Sequence, residues 1–177
     1  MRPFMEGDAR PMFEAAWESR TELRSWMTWC GENFSLGHAE RFVARCAAAW
    51  QQAEHFSFAI LDESSHYFLG SVGVNHICTK HWHGNIGYWV RNRASGHGIA
   101  TGAVAQISRF ALLQLNLARV EFLIPTGNTA SQRVAQKVGA RFEGVLRDRL
   151  MVSRTNHDAA VYSLLRKDLP EVQLDQF

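Results

Sequence analysis

Two stretches of this sequence place chemistry-bearing residue types where a backbone could present them. The first is Tyr88-Trp89-Val90-Arg91-Asn92-Arg93-Ala94-Ser95-Gly96-His97-Gly98-Ile99-Ala100-Thr101. An aromatic and branched run reads as a strand, and Gly96 and Gly98 then precede a helical pattern. Glycines permit positive φ and close backbone approach, so successive N–H groups of such a loop can converge on one phosphate. The start of the following helix adds unsatisfied amides and the positive end of its dipole. A glycine turn that enters a helix and binds nothing is the ordinary alternative. Thr101 stands where the third glycine of GxGxxG belongs, and no Gly-Lys-Ser/Thr follows, which argues against a nucleotide triphosphatase.

The second stretch is Asn128-Thr129-Ala130-Ser131, followed by Val134-Ala135-Gln136-Lys137-Val138-Gly139-Ala140. Thr129 with Gln132 has the pattern of a capping box opening a helix, and Gly139 stops it. Read alone, Asn128 is a turn residue tolerant of positive φ and Ser131 a first-turn serine.

The elements that must position these residues follow from periodicity. Pro11 to Arg20 and His38 to Gln52 read as helices, the second with Phe42, Val43, Cys46 and Trp50 on one stripe. Phe56 to Leu61, Tyr67 to Ile77 and Ile86 to Val90 read as strands. Asp62 to Ser65 forms a turn, and Lys80 to Gly84 a polar hairpin connection. Ala100, Val104, Ile107 and Ala111 space a helix, and Arg119 to Ile124 is a strand broken at Pro125-Thr126-Gly127-Asn128. Phe142 to Leu165 forms two strands joined near Ser153 to Asn156. No repeat or linker divides the chain, so residues 1–177 read as one domain, a mixed α/β or α+β fold on a single sheet.

Composition narrows the function classes. With 46% hydrophobic and 20% charged residues the chain can bury a core without disulfides or metal. A net charge of +2 gives no reason to expect nucleic acid or membrane as a partner. No window approaches the ~20 apolar residues of a membrane span, and the N-terminus lacks a secretory stretch. Cys30, Cys46 and Cys78 form no CxxC, which fits reduced thiols and a cytoplasmic protein. His76, Cys78, His81 and His83 match no zinc spacing, so no metal is expected.

Taken together, Ile86-Gly87-Tyr88-Trp89-Val90 with Gly96-His97-Gly98-Ile99-Ala100-Thr101 resembles motif A of the GNAT acetyltransferases, and the RimJ/RimL branch in particular. The family's loop is Gln/Arg-x-x-Gly-x-Gly/Ala; here Ser95, Gly98 and Ala100 fall at its marked positions, and Ser95 is a departure that brings a hydroxyl but no charge. Asn128 to Ser131 and the helix ending at Gly139 resemble the family's Asn-x-x-Ser helix, with Ala140 in place of the usual phenylalanine. The resemblance covers roughly Gly70 to Leu165.

The resemblance implies a mixed, mostly antiparallel twisted sheet flanked by helices, with splayed central strands. It implies that acetyl-CoA is bound by Trp89, Val90, Arg91, Ser95, Gly96, His97, Gly98, Ile99, Ala100, Thr101 and Asn128. The pantetheine arm would pair with the splayed strands, Asn128 contacting it and Ser131 lying near the sulfur. The tyrosine that many GNAT enzymes use as thiolate acid falls here at Ala135, which leaves Ser131 as the candidate acid. Two family carboxylates are likewise absent, their positions taken by Asn85 and Leu150. His76, His81, His83, Glu121, His157 and Asp158 remain as titratable candidates for the base, beside water or a free amine. Trp26, Trp29, Tyr88 and Trp89 are candidates for a substrate groove, with core packing as the ordinary alternative. The implied activity is acetyl transfer to a primary amine, with a protein N-terminal α-amine as the leading acceptor. A polyamine, amino acid or aminoglycoside is the alternative, and a non-catalytic acetyl-CoA sensor a third. Rim-like proteins are often dimers, so a homodimer is implied; the sequence itself does not specify one.

Overall fold

Seven strands form one sheet in the order β1-β2-β3-β4-β5-β7-β6 in a computed structural model that describes residues 1–169. The expected domain span of 1–177 therefore runs past the described residues. The strands are β1 (Arg2–Pro3), β2 (Phe56–Leu61), β3 (Phe68–Cys78), β4 (His83–Val90), β5 (Arg119–Pro125), β6 (Arg141–Val152) and β7 (Thr155–Leu165). The helices are α1 (Ala9–Glu18), α2 (Arg20–Arg24), α3 (Leu36–Gln51), α4 (Ile99–Arg109) and α5 (Thr129–Lys137). Every strand pair is antiparallel except β4 with β5, so the expected mixed, mostly antiparallel sheet is what forms.

Each sheet face is closed by a different set of helices. On one face Val72, Val74, Ile86, Val120, Phe122, Tyr162 and Leu164 pack with Val104 and Ile107 of α4 and Ala135 of α5. Burying each large side chain there contributes about 1.5–3 kcal/mol. On the other face α1 and α3 present Met12, Ala15, Ala39, Val43 and Cys46 to Ala59, Phe68 and Trp89. Beyond Arg109 the helix widens into a π turn over Phe110–Gln114, and Phe110 packs against Trp50, Phe56 and Phe58. Among the described residues no helix is long and apolar enough to cross a membrane.

Two local expectations differ from what forms. The helix read over Pro11 to Arg20 starts at Ala9 and breaks at Ser19. The buried Ser19 hydroxyl donates to the Ala15 carbonyl at 2.8 Å, the back-bonding that bends helices. The capping box at Thr129 does not form: Asn128 is the cap, its Oδ1 accepting from the Ser131 amide at 3.0 Å. Gln132 instead donates through Nε2 to the Thr126 carbonyl at 2.8 Å. Gly139, at φ +86°, does end the helix, and Ala140 donates back to the Ala135 carbonyl at 3.0 Å.

Candidate active site

The site begins where the sheet comes apart. β4 and β5 pair in parallel only through His83, Gly84 and Asn85 with Arg119, Val120 and Glu121. Beyond these residues the strands diverge, which is the splay that the resemblance implies. The opening is part of a groove of about 570 Å³. Tyr88, Trp89 and Val90 form one wall, and Ser95, Gly96, Gly98, Ile99, Ala100 and Thr101 another. Asn128, Ala130, Ser131, Arg133, Val134 and Lys137 come from α5 and its cap, while Ser19, Glu22, Leu23, Trp26 and Met27 come from α2 and its flanks.

The glycine loop has the backbone that an anion requires. Gly96 and Gly98 take φ of +83° and +80°, and Gly98 is the left-handed cap of α4. A Cβ at either position would meet no protein atom within 4 Å, so the space above both is open. The first turn of α4 holds no acidic residue, leaving its amides and dipole free for negative charge. The loop is tied down by the N-terminal helices. The Asn92 amide donates to Ser19 Oγ at 2.9 Å, and Asn92 Nδ2 to Glu22 Oε1 at 3.0 Å.

Arg91 and His97, both expected among the cofactor contacts, do not line the groove. Arg91 is only 4% exposed. Its Nε lies 3.2 Å from Glu18 Oε2 and its guanidinium 4.2 Å from the Tyr67 ring centroid. Arg93 is also engaged, with two bonds to Glu18 at 2.6 and 2.7 Å. His97, between the two glycines, is exposed. The positive charge that faces the groove comes instead from Arg133 and Lys137, one helical turn apart on α5.

Ser131 is held at the rim by a partner from the opposite strand. Its Oγ lies 2.7 Å from the Tyr88 hydroxyl, which also donates toward the Ser131 carbonyl at 3.0 Å. Burial pushes the Tyr88 phenol up to about 12, against the opposing pull of its bond to Ser131. The phenol therefore keeps its proton throughout the neutral range. Tyr88 stands 43 positions from Ser131; only the topology brings them together, and no spacing rule would pair them.

The remaining candidates separate cleanly. Ala135, at the position of the family tyrosine, is wholly buried in the core. Leu150 is half-buried opposite His157 in the β6–β7 hairpin. None of His76, His81, His83 and His157 lines the groove, nor do Glu121 and Asp158. Glu121 is paired with Arg119 at 3.1 Å, and Asp158 accepts from the Asp148 amide at 2.9 Å. The carboxylate that does line the groove is Glu22, which no motif had marked. Trp26 and Trp89 line it too, whereas Trp29 packs on Trp89 and Phe34 instead.

Comparison with known proteins gives the same answer. The family described as acetyltransferase (GNAT) domain matches residues 1–141. YdaF of Bacillus subtilis, whose name proposes a ribosomal N-acetyltransferase, is 32% identical over 162 residues, covering 91% of this chain and 87% of the relative. Mycobacterium smegmatis RimJ in complex with CoA-disulfide superposes with a TM-score of 0.86 at 24% identity, over 96% of this chain and 83% of that one. The ribosomal-protein-S5-alanine acetyltransferase of Vibrio fischeri superposes with a TM-score of 0.86 at 20% identity, over 96% and 94%. These two likenesses speak for the fold; the family match and the B. subtilis relative speak for descent. The chain belongs to the GNAT acetyltransferases, with acetyl-CoA as its co-substrate.

Proposed function

We propose that the protein transfers the acetyl group directly to the α-amine at a protein N-terminus. The observation that carries this reading is the groove itself. It passes from the glycine loop, between the parted strands and past Ser131, to the surface of α2. On its far side the β6–β7 hairpin reaches across, Ser153 Oγ donating to the Arg24 carbonyl at 3.1 Å. A chain end can enter between α2 and this hairpin while acetyl-CoA occupies the loop side. The names borne by YdaF and the Vibrio fischeri protein favour a ribosomal-protein acceptor. The reading treats residues 1–177 as one cytoplasmic acetyltransferase domain. It includes a homodimer, for which Phe142, Val145, Leu146 and Met151 of edge strand β6 supply exposed apolar surface.

In this reading the amides of Gly96 to Thr101, with the Ser95 hydroxyl, hold the pyrophosphate. The backbone of Trp89 and Val90 and the Asn128 side chain hold the pantetheine arm. Alignment of the two reactants supplies much of the rate. Backbone N–H groups along the parted edge of β4 face the developing oxyanion. The single Tyr88 proton lies within reach of both the Ser131 carbonyl and Oγ; turned to Oγ, it leaves the serine proton directed at the departing sulfur. With no histidine lining the groove, the amine proton leaves through water.

Calorimetric titration with acetyl-CoA, followed by thiol release across acceptors, tests the proposal. Turnover of peptides beginning in Ser or Ala supports it. Turnover of spermidine but not peptides would replace the acceptor, and tight binding without turnover on any acceptor would favour a sensor.

A further inference from the structure

We propose that Trp26 limits the size of the first residue the protein acetylates, admitting small side chains and excluding long or branched ones. This rests on the acceptor reading above and deepens it by naming the residue that selects the substrate. Trp26 lines the groove, two residues past Arg24, whose carbonyl accepts from Ser153 at the hairpin tip. It therefore stands beside the gap between α2 and the hairpin, where the chain end enters.

The indole bridges this end of the groove. The outer edge of its six-membered ring, Cη2 and Cζ3, lies 3.4 and 3.7 Å from where a Cβ on Gly127 would stand. The absent side chain at Gly127 is what allows that approach. Gly127 follows β5 and precedes Asn128, whose Oδ1 accepts from the Ser131 amide at 3.0 Å. The ring thus reaches from the end of α2 to the turn that carries Ser131.

A size filter also has to be stiff, and this wall is. Trp26 N–H donates to the Leu23 carbonyl at 3.0 Å and Met27 N–H to the same carbonyl at 2.7 Å, which continues the turn beyond α2. Leu23 is buried, and α2 is tied to the exit of β4 through the bonds of Ser19 and Glu22 to Asn92. Trp26 itself is half-buried, so part of its ring meets the groove. Pressing extra methylenes against such a wall forces strain rather than a cheap rearrangement.

In an α-amine acceptor the first Cβ is two bonds from the attacking nitrogen. The first side chain therefore cannot avoid the walls around the reacting centre, and on the α2 side those walls are Leu23, Trp26 and Met27. A hydrogen, methyl or hydroxymethyl group clears the indole, whereas an isobutyl group meets it.

Competition in one tube between two peptides that differ only in beginning Ser-Ala or Leu-Ala tests the assignment, with acetylation of each read by mass spectrometry. The full-length wild type, Trp26→Ala and Trp26→Phe are compared. The ratio of the two kcat/KM values does not depend on how much of a variant is folded, and a merely structural tryptophan would not move it. Wild type should favour the Ser peptide at least about tenfold, the scale on which a pocket discriminates by methylenes. Trp26→Ala should bring the two peptides within about threefold of each other, chiefly by lowering the KM of the Leu peptide, and Trp26→Phe should fall between. A ratio unchanged in Trp26→Ala, or a wild type indifferent to the first residue, overturns the assignment alone. Wild-type protein that binds acetyl-CoA but acetylates neither peptide overturns the α-amine reading, and the assignment falls with it.

Discussion

Tyr88 and Ser131 should act as one unit, and a double-mutant cycle measures whether they do. Their hydroxyl oxygens are 2.7 Å apart, the usual length of an O–H···O bond. If Ser131 protonates the leaving thiolate, Ser131→Ala removes a positioned acid. Such groups contribute about 10²–10⁴-fold, and a thiolate, already a fair leaving group, puts the loss near the lower end at about 10²-fold in kcat. Tyr88→Phe leaves the ring packed on the core and the serine proton in place. It deletes only the bond that orients that proton, so the loss should be about tenfold, or ~1.4 kcal/mol. In the Ser131→Ala background the tyrosine has nothing left to orient, and the double variant should match Ser131→Ala. The coupling energy is then about 1.4 kcal/mol. Thiol release at saturating acetyl-CoA reads the rates, and calorimetry should find acetyl-CoA affinity nearly unchanged in all three variants. If the two losses multiply to about 10³-fold in the double variant, Tyr88 does not work through Ser131 and the paired assignment is wrong.

Three other outcomes are expected. The folded Tyr88 phenol titrates at about 12 rather than its ordinary 10.0. It holds its proton where the unfolded chain loses it, so its contribution is complete below pH ~10 and is lost as pH rises toward ~12, about 3 kcal/mol in all. Urea unfolding across that window should show a shallower alkaline decline in Tyr88→Phe. Gly98→Val forces a branched side chain to φ +80°, at about 1–2 kcal/mol of strain, into space free of protein atoms. The variant should fold yet lose at least tenfold in acetyl-CoA affinity, and equal binding by calorimetry would remove the phosphate assignment. Glu18→Ala should cost about 3 kcal/mol by chemical denaturation, because it leaves the nearly buried Arg91 guanidinium without its counter-ion. A loss below about 0.5 kcal/mol would show that stacking on Tyr67 suffices.

The half of the site that faces the acyl donor was legible because it is local. A strand, two positive-φ glycines and a helix start are adjacent in the chain, so the loop from Ser95 to Thr101 could be read from its spacing together with the family resemblance. Asn128, Ser131 and Gly139 were legible for the same reason, although Asn128 rather than Thr129 took the cap. Arg91 and His97 stand outside the groove lining for a common reason. A loop's backbone conformation can be inferred from its glycines, but not where its long side chains go. Arg91 is turned aside by Glu18 from α1, 73 positions earlier, and no local pattern marks that pair.

The acceptor half was illegible because it has no local pattern at all. Glu22, Trp26 and Met27 reach the groove only because α2 is tied to Asn92, and α2 exists as a separate helix only because Ser19 breaks α1. Asn85 makes the point most sharply. By type it is an amide where the family resemblance implies a carboxylate, and on that ground it reads as a deficiency. In the fold it stands at the last paired position before β4 and β5 part, and its oxygen takes up the first donor left over on β5. A carboxylate could accept that donor equally well but could not pass a hydrogen bond on to Asn75, whose Oδ1 accepts from Asn85 Nδ2. The substitution that removes a base therefore also makes a directional amide pair possible.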